Sequence, residues 1–136
     1  MIATVVTKPR AAYFTQWAAQ FFAAAELSRR GYMVSFPLGN APLTDLQVTS
    51  PDGHSFPVEV KGLKSPNWWI VKRPIKGRER FYVFVLAPVS APFSLPRYFI
   101  LSGDRLSRIH EDDPKWPGMT WGKVLPFENC WDTLPE

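Results

Sequence analysis

Residues 57–62 read PVEVKG, a short and otherwise apolar stretch that carries a carboxylate at Glu59 and an ammonium at Lys61. On a strand, side chains two apart share a face, and burying such a pair without a purpose is costly. The preceding segment, TDLQVTSPDGHSF, supplies a second carboxylate at Asp45. Two opposed carboxylates repel each other, and a divalent cation that bridges them removes the conflict. Hard oxygen donors with water in the remaining positions suit Mg²⁺ or Mn²⁺. A lysine beside such an ion can orient a water or help deprotonate it, and can stabilise charge developing on a phosphate oxygen. Metal-assisted phosphodiester hydrolysis is the reaction that uses all three groups.

Whether the three groups meet depends on the elements that carry them. Residues 43–50 and 54–61 read as two strands around Pro51-Asp52-Gly53, a turn in which Pro and Asp take the central positions and Gly the left-handed one. With that three-residue loop Ser50 faces His54 and Asp45 falls opposite Glu59, with Lys61 one diagonal step away. A two-residue loop would turn Asp45 to the other face. Upstream, residues 12–30 lack Gly and Pro and are rich in Ala, which predicts a helix. Thr7 or Thr15 would cap it, and Gly31 would end it. Its apolar residues cover most of its circumference, so the helix is expected to be mostly buried. Strands are expected at 32–36, at WWIVKRP, at FYVFVLAP (81–88) as a central strand, and at 97–101, with a short helix from Ser102 or Asp104.

Glu26 in the first helix, Asp45 on one strand and Glu59-Val60-Lys61 on the next resemble the PD-(D/E)XK nuclease superfamily, over about residues 12–88. AELSRRGYMVS, GNAPLTDLQV and FPVEVKG are most similar to its Holliday-junction-resolvase and homing-endonuclease branches. Leu43-Thr44 precede Asp45 where the name-giving proline would stand. The resemblance implies an α/β fold with a restriction-endonuclease-like core, a central mixed sheet flanked by helices. It also implies that Asp45, Glu59 and the Val60 carbonyl hold Mg²⁺ or Mn²⁺, that Lys61 is the catalytic lysine, and that Glu26 completes or supports the metal site. Lys64, just outside the motif, is placed to contact phosphate.

The rest of the chain fits a nucleic-acid partner, DNA before RNA. Residues 1–110 hold 14 Lys/Arg and 6 Asp/Glu, whereas residues 111–136 hold 2 and 6, so the body is basic and suits a polyanion. The run KRPIKGRER places Lys72, Arg73, Lys76, Arg78 and Arg80 where a loop can track phosphates. One domain is expected over residues 1–136, with a core at about 12–101 and an irregular Pro- and Trp-rich tail at 111–136. A domain of this size covers little duplex, so a homodimer is expected. Cys130 is the single cysteine, which excludes an intrachain disulfide and fits an intracellular location. No apolar run is long enough to cross a bilayer, and MIATVV is too short for a signal-peptide core. Trp68 and Trp69 suit either base stacking or packing; His54, His110 and Cys130 receive no catalytic role, and Asn40 reads as a loop residue. Blander readings stand beside these. The charged trio would form an exposed cross-strand ladder, Glu26 would pair with Arg29 or Arg30, and the chain would be an inactive binding module or an interaction subunit.

Overall fold

The computed structural model describes residues 8–37, 44–91 and 93–136; Thr7 and Asn40 lie outside them. The Ala-rich stretch forms helix α1, Lys8–Arg29. It starts earlier than the sequence suggests because Pro9 falls in the first turn, where a missing N–H costs nothing. Thr15 is therefore internal, and its hydroxyl donates back to the Ala11 carbonyl at 3.1 Å instead of capping the helix. The helix ends in a Schellman turn. The Tyr32 amide reaches the Leu27 carbonyl (3.1 Å), the Gly31 amide reaches that of Ser28 (3.0 Å), and Gly31 has φ +93°.

Strands β1 (Met33–Ser35), β2 (Leu46–Thr49), β3 (Ser55–Leu63), β5 (Phe81–Leu86) and β6 (Arg97–Ser102) form one mixed sheet in the order β1-β2-β3-β5-β6. Neighbours are antiparallel except β3 and β5, which run parallel. A smaller sheet pairs β4 (Trp69–Ile70) with β7 (Gly118–Met119). β5 is buried on both sides, as its continuous apolar run requires. Phe81, Val83 and Val85 meet α1 and its neighbours, while Tyr82 and Phe84 pack on the opposite face with Trp69, Phe99, Leu101, Leu106, Met119 and Val124.

A parallel β3–β5 pair needs a crossover, and residues 64–80 supply it without a helix. Trp69 clamps this crossover onto the sheet, with its ring centroid 5.0 Å from that of Phe84 and 6.1 Å from that of Phe99. The crossover thus covers the face opposite α1. Beyond it come α2 (Gly103–Ile109), capped by the Ser102 hydroxyl, and α3 (Trp121–Val124), capped by Thr120.

Two expectations change. Only one stripe of α1 is buried, through Thr15, Ala19, Gln20, Ala23 and Leu27; Tyr13, Phe14, Trp17 and Phe21 stay exposed. A single sheet covers one side of a helix, and the outer aromatic rings pack on one another, Trp17 on Phe21 at 5.7 Å. The tail is also more regular than expected. It contributes β7, α3 and two 3-10 turns, and buries Trp131 and Leu134 in the core beneath α1. Apolar burial of such side chains, at about 1.5–3 kcal/mol each, is enough to order it.

Candidate active site

The hairpin between β2 and β3 sets the site. Gly53 adopts φ +90°, its amide bonds the Ser50 carbonyl at 2.9 Å, and the Ser50 amide bonds the His54 carbonyl at 2.7 Å. The strands then pair Thr49 with Ser55 and Leu46 with Val58, the register that the turn chemistry implies. β2 leaves the ladder just before Leu46. The Asp45 amide still reaches the Val58 carbonyl at 3.1 Å, but the Val60 amide finds the Asp45 carboxylate, with Oδ2 accepting at 2.7 Å. A side chain has taken the place of a main-chain acceptor. That substitution holds Asp45 against the middle of the ExK motif.

Glu59 is buried, 8% exposed, and Lys61 Nζ lies 3.6 Å from its Oε1. Parallel pairing sets Tyr82 beside Glu59, and the Tyr82 hydroxyl donates to the carboxylate while accepting the Ile75 amide at 3.0 Å. Burial pushes the Glu59 carboxyl above its ordinary value. Lys61 opposes that shift, and the neighbouring charge of Asp45 adds to it. Burial raises Asp45 as well, against the Val60 amide and Lys61. Tyr82 is pushed up to about 12, chiefly by burial. Two carboxyls that both resist ionisation in one place form a site that gains from a bound cation.

The crossover completes this site. Glu59 and Lys61 line a groove of about 380 Å³ together with Ile70, Val71, Lys72 and Arg73. Lys72 and Arg73 are thereby brought to the motif, 11 and 12 positions beyond Lys61 in the chain. Lys76 and Arg78 are exposed further along the loop. The loop is tied down by the Gly77 amide on Asp104 Oδ1 (2.8 Å), the Gly103 amide on the Arg80 carbonyl (2.7 Å) and the Glu79–His54 pair (2.6 Å). Lys64 faces elsewhere, lining a separate groove with Ala11, Ala12, Thr15, Gly62 and Leu63.

Glu26 is not brought to this groove. Its carboxylate is held by Arg29 and Arg30 at 3.0 Å each, and these hydrogen-bonded guanidiniums lower its pKa. The helix residue that reaches the motif is Gln16, whose Nε2 donates to the Val60 carbonyl at 2.7 Å. Glu26 stands ten residues further along α1, about 15 Å at the helical rise. Gly62 permits the contact: a Cβ there would sit 2.6 Å from that of Ala19 and 3.1 Å from the Thr15 carbonyl. Gln16 and Tyr82 are the residues that sequence reasoning missed. A carboxylate was sought in the helix where an amide serves, and the β3–β5 register has no local signature.

Among the described residues no group of three or more His, Cys, Asp or Glu gathers. The oxygen donors available for a cation are therefore the Asp45 and Glu59 carboxylates and the Val60 carbonyl, with water for the rest. No helix among those residues is long and apolar enough to cross a membrane.

A five-stranded mixed sheet flanked by helices, with a hairpin and then a parallel strand at its centre, is the restriction-endonuclease-like fold that the sequence implies. Among solved structures, that of a bacterial homing endonuclease, I-Ssp6803I, superposes on it with a TM-score of 0.61, covering 94% of this chain and 91% of that one at 16% identity. At that identity the likeness is one of fold. No protein-family model and no curated protein matches the chain.

Proposed function

We propose that this chain is a divalent-metal-dependent nuclease that hydrolyses phosphodiester bonds in DNA. The observation that carries this reading is the convergence of Glu59, Lys61, Lys72 and Arg73 on one groove, with Asp45 held to the same strand by the Val60 amide. Asp45, Glu59 and the Val60 carbonyl fit Mg²⁺ or Mn²⁺, hard ions that take few protein oxygens and keep several waters. When bound, the ion supplies Lewis acidity toward the phosphate and a more acidic water.

The chain's own groups do the rest. Lys61 orients the attacking water and stabilises the charge that grows on the phosphate oxygens. Lys72 and Arg73 hold the backbone phosphates at the mouth of the groove, and Lys76 and Arg78 extend that grip. Gln16 fixes the Val60 carbonyl, and Tyr82 fixes the Glu59 carboxylate. The share in the homing-endonuclease fold supports DNA as substrate, and the exposed aromatic face of α1 supports a homodimer.

The test is cleavage of plasmid, single-stranded and branched DNA in Mg²⁺, Mn²⁺ or EDTA. Cutting is expected only with metal and is expected to fall about 10²–10³-fold in Lys61→Ala, as for loss of one transition-state donor. Asp45→Ala is expected to abolish it. Cutting that survives both substitutions overturns the site.

A further inference from the structure

Beside the groove lies a second and larger cleft, about 460 Å³, lined by Asn67, Trp68, Ile70, Asp113 and Trp116. Ile70 lines both, so the cleft opens next to the cations Lys72 and Arg73. Its chemistry differs from theirs. It offers two indoles and a carboxylate, bordered by Lys115, whose Nζ stands 5.8 Å from the Trp116 ring centroid.

The walls are built from opposite directions. Trp68 precedes β4, and its indole nitrogen is buried with no partner among the described residues. It is fixed by Gly118 on β7, where any Cβ would collide with the Trp69 carbonyl and stand 2.8 Å from Trp68 Nε1. Trp116 is held by an Asx turn in which Asp113 Oδ1 accepts the amides of Lys115 (2.9 Å) and Trp116 (2.7 Å). Trp116 is nonetheless 56% exposed even with the Lys115 ammonium over its ring, so its apolar surface stays open to a ligand.

We infer that this cleft takes an unstacked nucleobase from the nucleic-acid strand whose phosphates lie along Lys72 and Arg73. The inference rests on the proposed nucleic-acid function and adds a subsite to it. An aromatic base stacks on indole and donates to the Asp113 carboxylate from its amino or imino edge, which a phosphate cannot do. The shared Ile70 sets base and phosphate subsites side by side, as successive parts of one nucleotide require.

The experiment measures binding in EDTA, so that nothing is cut, by anisotropy of a labelled duplex. One version carries a single-stranded thymidine overhang, and the other an overhang of abasic sugar-phosphates with the same charge. Wild type is expected to prefer the thymidine overhang. Trp116→Ala is expected to lose about 5- to 100-fold on thymidine, the range for one base–aromatic stack, and less than about twofold on the abasic overhang. Trp116→Phe should recover most of the loss. Equal wild-type binding to the two overhangs, or an equal loss on both in Trp116→Ala, overturns the inference. Cleavage of the same substrates in Mg²⁺ is scored separately, so failure to cut counts against the nuclease reading alone.

Discussion

Burial raises the cost of ionising both Asp45 and Glu59, the charge of Asp45 adds to it at Glu59, and this has a measurable sign. Both carboxyls titrate above their ordinary values of 3.8 and 4.5, so the folded chain holds protons that the unfolded chain has released. Their contribution to the metal-free fold is therefore most favourable below those values and is lost as pH rises through the raised ones. Glu59→Gln, which can still accept the Tyr82 hydroxyl, should raise the melting temperature in EDTA at pH 8, with the gain shrinking toward pH 4.5. Adding Mg²⁺ should stabilise wild type and leave Glu59→Gln unmoved; calorimetry with and without the ion checks both. Glu26 and Glu128 have the opposite sign, because their arginine partners lower their values from 4.5. What they contribute is present above 4.5 and fades on acidification. The grouping of Asp45, Glu59 and Lys61 was legible because residue type and local spacing bring them to one face of the hairpin. The sequence misled at Glu26, since type was read without position along the helix.

The hairpin and α1 show what a local pattern can and cannot specify at the level of elements. SPDGH encodes its own register through a proline-compatible turn and one left-handed glycine, so the facing of Asp45 and Glu59 was legible. The approach of α1 to β3 was not, because it depends on Gly62 meeting Ala19, two residues 43 positions apart. Gly62→Ala is expected to cost about 1–3 kcal/mol by overpacking and to weaken the Gln16–Val60 contact. Urea melts of Gly62→Ala alone and with Ala19→Gly test this. The double variant should regain part of the loss, less the roughly 1 kcal/mol that glycine costs inside a helix. A single variant as stable as wild type would remove Gly62 from the account.

Across the whole molecule, the two faces of the sheet do different work. One carries α1, whose outer side exposes Tyr13 (58%), Phe14 (53%) and Phe21 (58%). If this is the dimer surface, Trp17→Glu with Phe21→Glu gives a monomer by light scattering where wild type gives a dimer; a monomeric wild type removes the proposal. The other face carries the crossover 64–80, of which the sequence showed a short strand at WWIVKRP and a basic run but not the path. That a parallel strand pair would fold this segment over Glu59 and Lys61 is a long-range fact with no short-range pattern. The crossover is fastened at Trp69, Ile75, Gly77 and Arg80, whereas Asp45, Glu59 and Lys61 belong to the β2–β3 hairpin. In the proposed nuclease, gripping and cutting are thus housed in different pieces of chain. In that nuclease, exchanging the exposed Lys72 and Arg73 while Trp69 and Val71 stay in the core would retune what is held and leave the cutting edge where the hairpin put it, which makes these positions the natural ones for redesign.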